Sequence, residues 1–313
     1  MTAYIIRRLL YTIPIVFGVL LLTFILFKIV PGDPALQMAG KAASPQVIEE
    51  VREEYGLNKP LFMSWDSQFL NHFKNALTFN FGRALDREPV FDKIKRGLGP
   101  SLAITVPMFI GTLFISVSIS LFVAYVRGTV WDIVAVVICV AAMSIPYLSF
   151  ILFGQYFFAY KWWIFPVFFE PDLPLYKCVA LPVLIGIAAG LGANMRFYRT
   201  VMLDEMQSDY VRTAFAKGLT TRRVLFKHVL KNAMVPIITR VTLTIPYLFL
   251  GSLLLERFFG IPGLGYLMVE ATSSRDYFVI NAIVYISAIL FVLFNLLADI
   301  CYALVDPRVS LEP

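Results

Sequence analysis

The chain has 313 residues, of which 59% are hydrophobic and only 15% charged, with 28 phenylalanines; this usage is far from that of a soluble domain and places the protein in a membrane. A formal net charge of +6 would suit a nucleic-acid binder, but the basic residues gather beside apolar runs, so the membrane surface accounts for them and no nucleic-acid partner is expected. Cys139, Cys178 and Cys301 are odd in number and lack metal-ligand spacing, so they imply neither a disulfide framework nor a zinc site, and no metal is expected.

In chain order, a first span is predicted over residues 9–30, behind Arg7 and Arg8 and with Pro14 in its first turns. No small-residue cleavage site follows it, so it reads as a retained span, and Pro31-Gly32-Asp33-Pro34 stops it. Residues 35–98 form the only sizeable soluble stretch. It holds a well-marked helix, with Ser44 as cap, Pro45 in the first helical position, Glu49 and Glu50 near the positive end and Gly56 past the other. Two further short helices are expected over 63–77 and 89–98. A region of this size buries only a small core and should pack on the membrane domain or on a partner.

The second span is predicted over 101–126 and the third over 133–156, separated by the tight turn Arg127-Gly128-Thr129. The fourth covers 179–195, where Gly186 and Gly190 stand four apart with Ala189, Gly192 and Ala193 nearby, a face that another helix can approach closely. The fifth, 235–255, carries Pro236 and Pro246 and should be kinked. The sixth runs over 278–304. The expectation is an all-α polytopic membrane protein of six transmembrane helices, organised as a first helix (1–34), an external helical region (35–98) and a five-helix core (99–313).

The stretch 204–236 is polar and basic and lies between two apolar runs, so it cannot sit in lipid. Residues 206–217 read as a short helix that Gly218 ends in a left-handed conformation, and Thr220 or Thr221 caps a second one. In that second helix Arg223, Lys227 and Lys231 recur every four residues as a basic stripe. The segment is either a solvated loop whose cations satisfy membrane topology or a docking element for a soluble partner. Orientation follows from the cations of the short loops: with the N-terminus inside, 12 fall on the cytoplasmic side and four (Lys161, Lys177, Arg257, Arg275) outside. Both termini and the 204–236 segment are therefore expected in the cytoplasm.

Several functions are excluded by what is missing. No phosphate-binding G-x-x-x-x-G-K-[ST] motif occurs, so the chain should not hydrolyse ATP by itself. His72 and His228 are the only histidines and fall on opposite sides, too far apart for one site; no serine pairs with a histidine or lysine at membrane depth as an intramembrane protease needs. Among ionisable residues near the spans, Lys28, Arg240 and Glu256 lie close enough to span ends to snorkel. Asp299, with Asn295 four residues before it, is expected to turn inward to a structural ion pair with Arg196, Arg199 or Arg240, in preference to a transport role. Helix position nominates Ser144, Gln155, Thr244 and Asn281 as lining a pathway.

Arg212-Thr213-Ala214-x-x-Lys217-Gly218, the basic helix after it and Ala233-x-x-Pro236 together resemble the coupling loop of ATP-binding-cassette (ABC) importer permeases, in the variant used by the dipeptide and oligopeptide (peptide/nickel) branch. The order of further motifs agrees over essentially the full length: Arg7-Arg8-Leu9-Leu10 with Pro14, Pro31-Gly32-Asp33-Pro34, Tyr55-Gly56-Leu57-x-x-Pro60-Leu61, Phe81-Gly82, Glu256-x-x-Phe259-Gly260-x-Pro262-Gly263-x-Gly265 and Arg275-Asp276-Tyr277. The chain is most similar to the first-permease type, which has a long external loop after span one; Arg212 and Thr213 stand where Glu and Ala are commonest in the wider importer pattern.

This resemblance implies the type I importer permease fold in the inner (cytoplasmic) membrane, paired with a second, homologous permease, two ATP-binding subunits and an extracytoplasmic substrate-binding protein. The chain itself would bind no cofactor; ATP and Mg belong to the partner subunits. Asp209, Tyr210, Arg212, Thr213, Ala214, Ala216, Lys217 and Gly218 would couple to an ATPase, with Ala214 and Ala216 letting the helix seat closely. Pro262, Gly263, Gly265, Arg275, Asp276 and Tyr277 would receive the binding protein; the Pro262-Gly263 turn either dips toward the pathway or packs as an ordinary loop. The implied function is passage of substrate, peptides first among them, driven by ATP hydrolysis in the partners. The alternative is a stand-alone channel or ion-coupled carrier, which would place ionisable residues deep in several spans.

Overall fold

The computed structural model describes residues 2–26, 35, 44–54, 56–62 and 64–305, and among them there is no β-strand. The helices whose bounds fall among the described residues are, in order, α1 (Thr2–Phe24), α2 (Pro45–Glu54), α3 (Gln68–Leu77), α4 (Val90–Tyr125), α5 (Val130–Ser144), α6 (Tyr147–Lys161, its last seven residues a π-helix), α7 (Leu175–Met206), α8 (Asp209–Ala216), α9 (Thr221–Leu248, with a π-helical turn at Leu225–Val229), α10 (Leu253–Phe259), α11 (Leu264–Ser274) and α12 (Tyr277–Val305). They form two compact units, neither continuous in sequence: Met1–Gly97 with Leu267–Leu296, and Leu98–Tyr266 with Leu297–Pro313.

In the first unit, α2 has the expected ends. The Ser44 hydroxyl accepts the Val47 N–H at 3.5 Å, and Gly56, at φ +61°, lets Leu57 N–H return to the Arg52 carbonyl at 2.8 Å. Helix α3 begins at Gln68 and not at 63, because Ser67 caps it by accepting the Leu70 N–H and the buried Gln68 amide is spent on the Leu57 and Lys59 carbonyls. Its apolar side packs on α1 through edge-on aromatic pairs, Phe17–Phe69 and Phe24–Phe69, beside a cluster of Leu20, Ala76 and Tyr285. Asp276 caps α12 at the Val279 N–H and also accepts Leu85 N–H at 2.9 Å, which fastens the loop before α4.

In the second unit the small-residue face of α7 works as its spacing suggests. A Cβ on Gly186 would meet the Met108 sulfur at 2.1 Å, one on Gly190 the Thr112 methyl at 3.2 Å, and one on Gly192 the Cys139 carbonyl at 2.9 Å, so α4 and α5 both lie against it closely. Several expected boundaries change. The helix predicted over 89–98 and the second span are one 36-residue helix that absorbs Pro100 and Pro107. The third span is not continuous: α5 and α6 meet at 91°, because Ile145 before Pro146 is extended (φ −84°, ψ 124°) and the helix stops there. The fifth begins at Thr221, so the basic helix and the span are one element, and it ends at Leu248 before α10 sets off at 45°. Helix α11 occupies a stretch expected as loop.

Three described helices are long and apolar enough to cross a membrane (Val90–Tyr125, Leu175–Met206, Tyr277–Leu297), and each bent pair reaches that length as one broken span; Leu10–Phe24 is apolar but shorter. Pro31-Gly32-Asp33-Pro34 and Lys28 lie outside the described residues.

Candidate coupling helix and the buried Glu256 node

Helix α8 is short and sharply delimited. Ser208 is extended before it and accepts Val211 N–H through its carbonyl at 3.0 Å, while Asp209 sits in the first turn, where the helix dipole favours an anion. At the other end Gly218 has φ +78°; its N–H reaches the Phe215 carbonyl at 2.9 Å, and Leu219 N–H reaches Ala214 at 3.3 Å. The Thr213 hydroxyl folds back on the Asp209 carbonyl, and the Arg212–Asp209 pair, both side chains exposed, adds little to stability. The Tyr210 hydroxyl donates to Glu205; burial, then that carboxylate, push the phenol above its ordinary range.

Two faces separate cleanly. Val211 and Ala214, three residues apart, are buried in a cluster with Tyr198 and Met202 of α7 and Val224, Leu225, Val229, Ala233 and Ile237 of α9. Arg212, Thr213, Phe215, Ala216 and Lys217 are exposed. Ala214 therefore faces this chain's own core: its small size serves internal packing, and of the two alanines only Ala216 offers a low outer surface. Arg223, Lys227 and Lys231 are exposed along α9.

A second constellation was not visible in the sequence. Glu256, expected to snorkel, has 0% exposure. Its Oε1 accepts the Ser101 hydroxyl at 2.8 Å and Ser252 N–H at 2.9 Å, and its Oε2 accepts Tyr266 N–H at 3.0 Å. Ser101 in turn accepts Leu264 N–H at 2.7 Å, and one turn along α4 the Thr105 hydroxyl donates to the Leu248 carbonyl at 2.8 Å. The physical reason is the break between α9 and α10: a bend strips backbone groups of helical partners, and where they are buried no water replaces them. Ser101 and Thr105, four residues apart on one face of α4, clasp the broken segment on both sides.

Glycine is what lets the backbone close on the carboxylate. A Cβ on Gly251 (φ +74°) or Gly263 would come within 2.3 or 2.4 Å of the Glu256 oxygens, and one on Gly265 would hit the Leu253 backbone at 2.7 Å. Of the residues nominated for binding-protein docking, Gly263 and Gly265 are thus buried around Glu256, and Pro262 is exposed at the tip of the turn. Arg275, Asp276 and Tyr277 belong to the first unit: Arg275 is exposed at φ +59°, Asp276 is the buried cap of α12, and Tyr277 opens that helix half-buried.

Two further polar contacts pin the second unit. Arg199 of α7 directs Nε and Nη2 to Asp132 Oδ1 at 3.0 and 2.7 Å, and Gly128 N–H donates to the other carboxylate oxygen. Arg199 was a nominated partner of Asp299 and is taken by Asp132; the Asp299 side chain lies outside the described part. Arg240 is half-buried and stacks over Phe197, 4.5 Å from the ring centroid, with Nε 3.4 Å from Asn194 Oδ1. Among the nominated pathway residues, Ser144 and Thr244 donate to carbonyls of their own helices, and the Gln155 amide bridges the Val167 and Phe258 carbonyls. Asn281 lines a cavity of about 430 Å³ in the first unit, with Gln68, Asn71 and Asn80.

The Ser101 hydroxyl and the Glu256 carboxylate, 2.8 Å apart and fully buried, are both engaged by backbone N–H groups, so the contacts this arrangement offers are mechanical ones. Comparison with known proteins identifies the system. Residues 116–311 match the family "Binding-protein-dependent transport system inner membrane component", and residues 1–93 match the N-terminal membrane component of the same systems. The chain is similar to the glutathione transport system permease protein GsiC of Escherichia coli K12, with 35% identity over 311 residues covering 99% of each chain. The GsiC proteins of Shigella dysenteriae serotype 1 (35%) and Shigella flexneri serotype 5b (34%) match over the same 99% of both chains. The chain belongs to the family of inner-membrane components of binding-protein-dependent transport systems, and is the permease subunit of an ABC importer.

Proposed function

We propose that this permease moves peptide-sized substrates, glutathione or short peptides, through its six spans paired with a second permease, and that α8 is the element through which one ATPase subunit of a pair drives it. The observation that carries this reading is the two-faced build of α8. Its inner face is part of the α7–α9 core, so a displacement of the helix reaches two long helices at once, while its outer face of Arg212, Thr213, Phe215, Ala216 and Lys217 is free for a partner. Asp209 and Gly218 set where this lever begins and ends, and Tyr210 braces it against Glu205. The chemistry of ATP, with its Mg, stays on the partner, since the chain has no phosphate-binding loop of its own.

In this reading both termini and α8 face the cytoplasm, and the turn bearing Pro262, with Arg275 and Tyr277, faces outward to receive the binding protein. Asp299 keeps its place as half of an inward ion pair. Topology is tested in a cysteine-free background: Cys at Ser273 should react with an impermeant thiol reagent from outside, and Cys at Arg222 only from inside; the opposite sense would overturn both assignments. Uptake of labelled glutathione against di- and tripeptides, in cells carrying the cognate binding protein, decides the cargo. Reconstitution of the chain alone separates a carrier or channel, which would move solute unaided, from a permease, which would not.

A further inference from the structure

The Glu256 node also orders what lies outside it. Tyr266, whose N–H is held by Glu256, carries the neighbouring residue's side chain: the Arg257 guanidinium lies over the Tyr266 ring, 5.3 Å from its centroid. Arg257 is exposed, and the ion pairs among the described residues engage Arg52, Lys59, Lys93, Arg96, Arg199 and Arg212, not Arg257. A long cationic side chain on a surface is ordinarily mobile. Here it is stacked on the ring of a residue whose backbone N–H is held by a buried carboxylate, and it pairs with no carboxylate among the described residues.

We infer that Glu256 is a positioning residue for a docking face on which Arg257 supplies a preset cation, beside the exposed Pro262, for a carboxylate on the substrate-binding protein. This rests on the reading that the Pro262 turn receives that protein. A lipid phosphate is the other anion within reach of a span end. It is disfavoured by the construction of the site, because a fluid headgroup gains nothing from three close-packed glycines and a buried carboxylate behind the cation, whereas protein docking gains from side chains ordered in advance.

The test uses the assembled transporter in lipid nanodiscs, with ATPase rate measured against binding-protein concentration. Arg257→Gln should raise the half-saturating concentration about two- to fivefold and leave the maximal rate in place, the size expected for one exposed ion pair. Arg257→Glu should raise it by about tenfold, since like charges then oppose each other, and the parent's salt dependence should flatten in both variants. Glu256→Gln should shift the same parameter, and the double variant Glu256→Gln with Arg257→Gln should add little to either single change, because both act through one contact. If Glu256→Gln does not assemble, Ser101→Ala, which frees Leu264 N–H, replaces it.

Unchanged half-saturation in Arg257→Glu overturns the inference, as does a change that follows only the anionic-lipid content of the nanodisc. Effects of Glu256→Gln and Arg257→Gln that multiply independently remove Glu256 from the role. Cysteine at Pro262 keeps the two readings apart: cross-linking to the binding protein together with a silent Arg257→Glu sinks this inference alone, whereas no cross-link and no shift sink the docking reading as well.

Discussion

The coupling helix and the Glu256 node solve opposite problems. Helix α8, in the role proposed for it, presents a surface to a partner: its inner side is held by non-directional apolar packing of Val211 and Ala214 and its outer side is left exposed. The Glu256 node must make a broken helix tolerable where water is absent, so it is held by directional hydrogen bonds to Ser101, Ser252 and Tyr266 and by glycines that let the backbone approach. Packing of the first kind yields to small displacements of a whole element. A hydrogen-bonded carboxylate with three donors does not, so under the proposed function α8 is the part suited to transmit motion and the node the part suited to resist it.

The sharpest way to break this contrast is Glu256→Ala. It leaves two backbone N–H groups and one hydroxyl buried without an acceptor, a loss of about 3–6 kcal/mol, and the purified transporter should melt at markedly lower temperature or fail to assemble. Unchanged thermal stability would mean that the node is not the fixed part.

Arg199→Ala tests whether the Asp132 pair belongs with the rigid group. Removing one partner of a largely buried pair should cost about 3 kcal/mol, with part of it recovered in the double variant Asp132→Ala with Arg199→Ala; additive losses in thermal denaturation would deny the coupling.

Within α8 the two alanines should part company. Ala214→Glu forces a charge into the α7–α9 core at about 2–3 kcal/mol and should lower the amount of inserted protein. Ala216→Glu should insert normally and instead weaken co-purification of the ATPase. Equal behaviour of the two variants in a membrane-fraction immunoblot and an ATPase pull-down would erase the two-faced description. At the bottom of the scale, Lys231→Gln changes one exposed cation of the stripe on α9 and should alter stability by no more than about 0.5 kcal/mol and uptake hardly at all. A clear transport defect there would move the partner surface from α8 onto α9.

The parts legible in the sequence are those governed by neighbours along the chain. Residence in a membrane follows from composition. The ends of α2 follow from Ser44, Pro45 and Gly56 and the C-terminal end of α8 from Gly218, since caps and left-handed turns act within four residues, whereas the start of α8, expected at 206, falls at Asp209 because α7 runs on to Met206. The close approach to α7 follows from Gly186, Gly190 and Gly192 on a helical period. What needed the tertiary structure is what depends on distant partners or on choosing among equivalent signals. Pro14, Pro100, Pro107, Pro182, Pro236 and Pro246 all sit inside helices, while Pro146 ends one at a right angle; nothing local distinguishes them, because the outcome depends on what packs around the freed carbonyls. Arg199 finds Asp132, 67 residues away, and Ala214 turns inward although Ala216 has the same side chain. Glu256 finds Ser101 across 155 residues. Such contacts leave no period and no spacing in the chain, and a carboxylate near a span end reads the same whether it reaches for water or closes on itself; only the folded backbone, with its broken helix to satisfy, decides which.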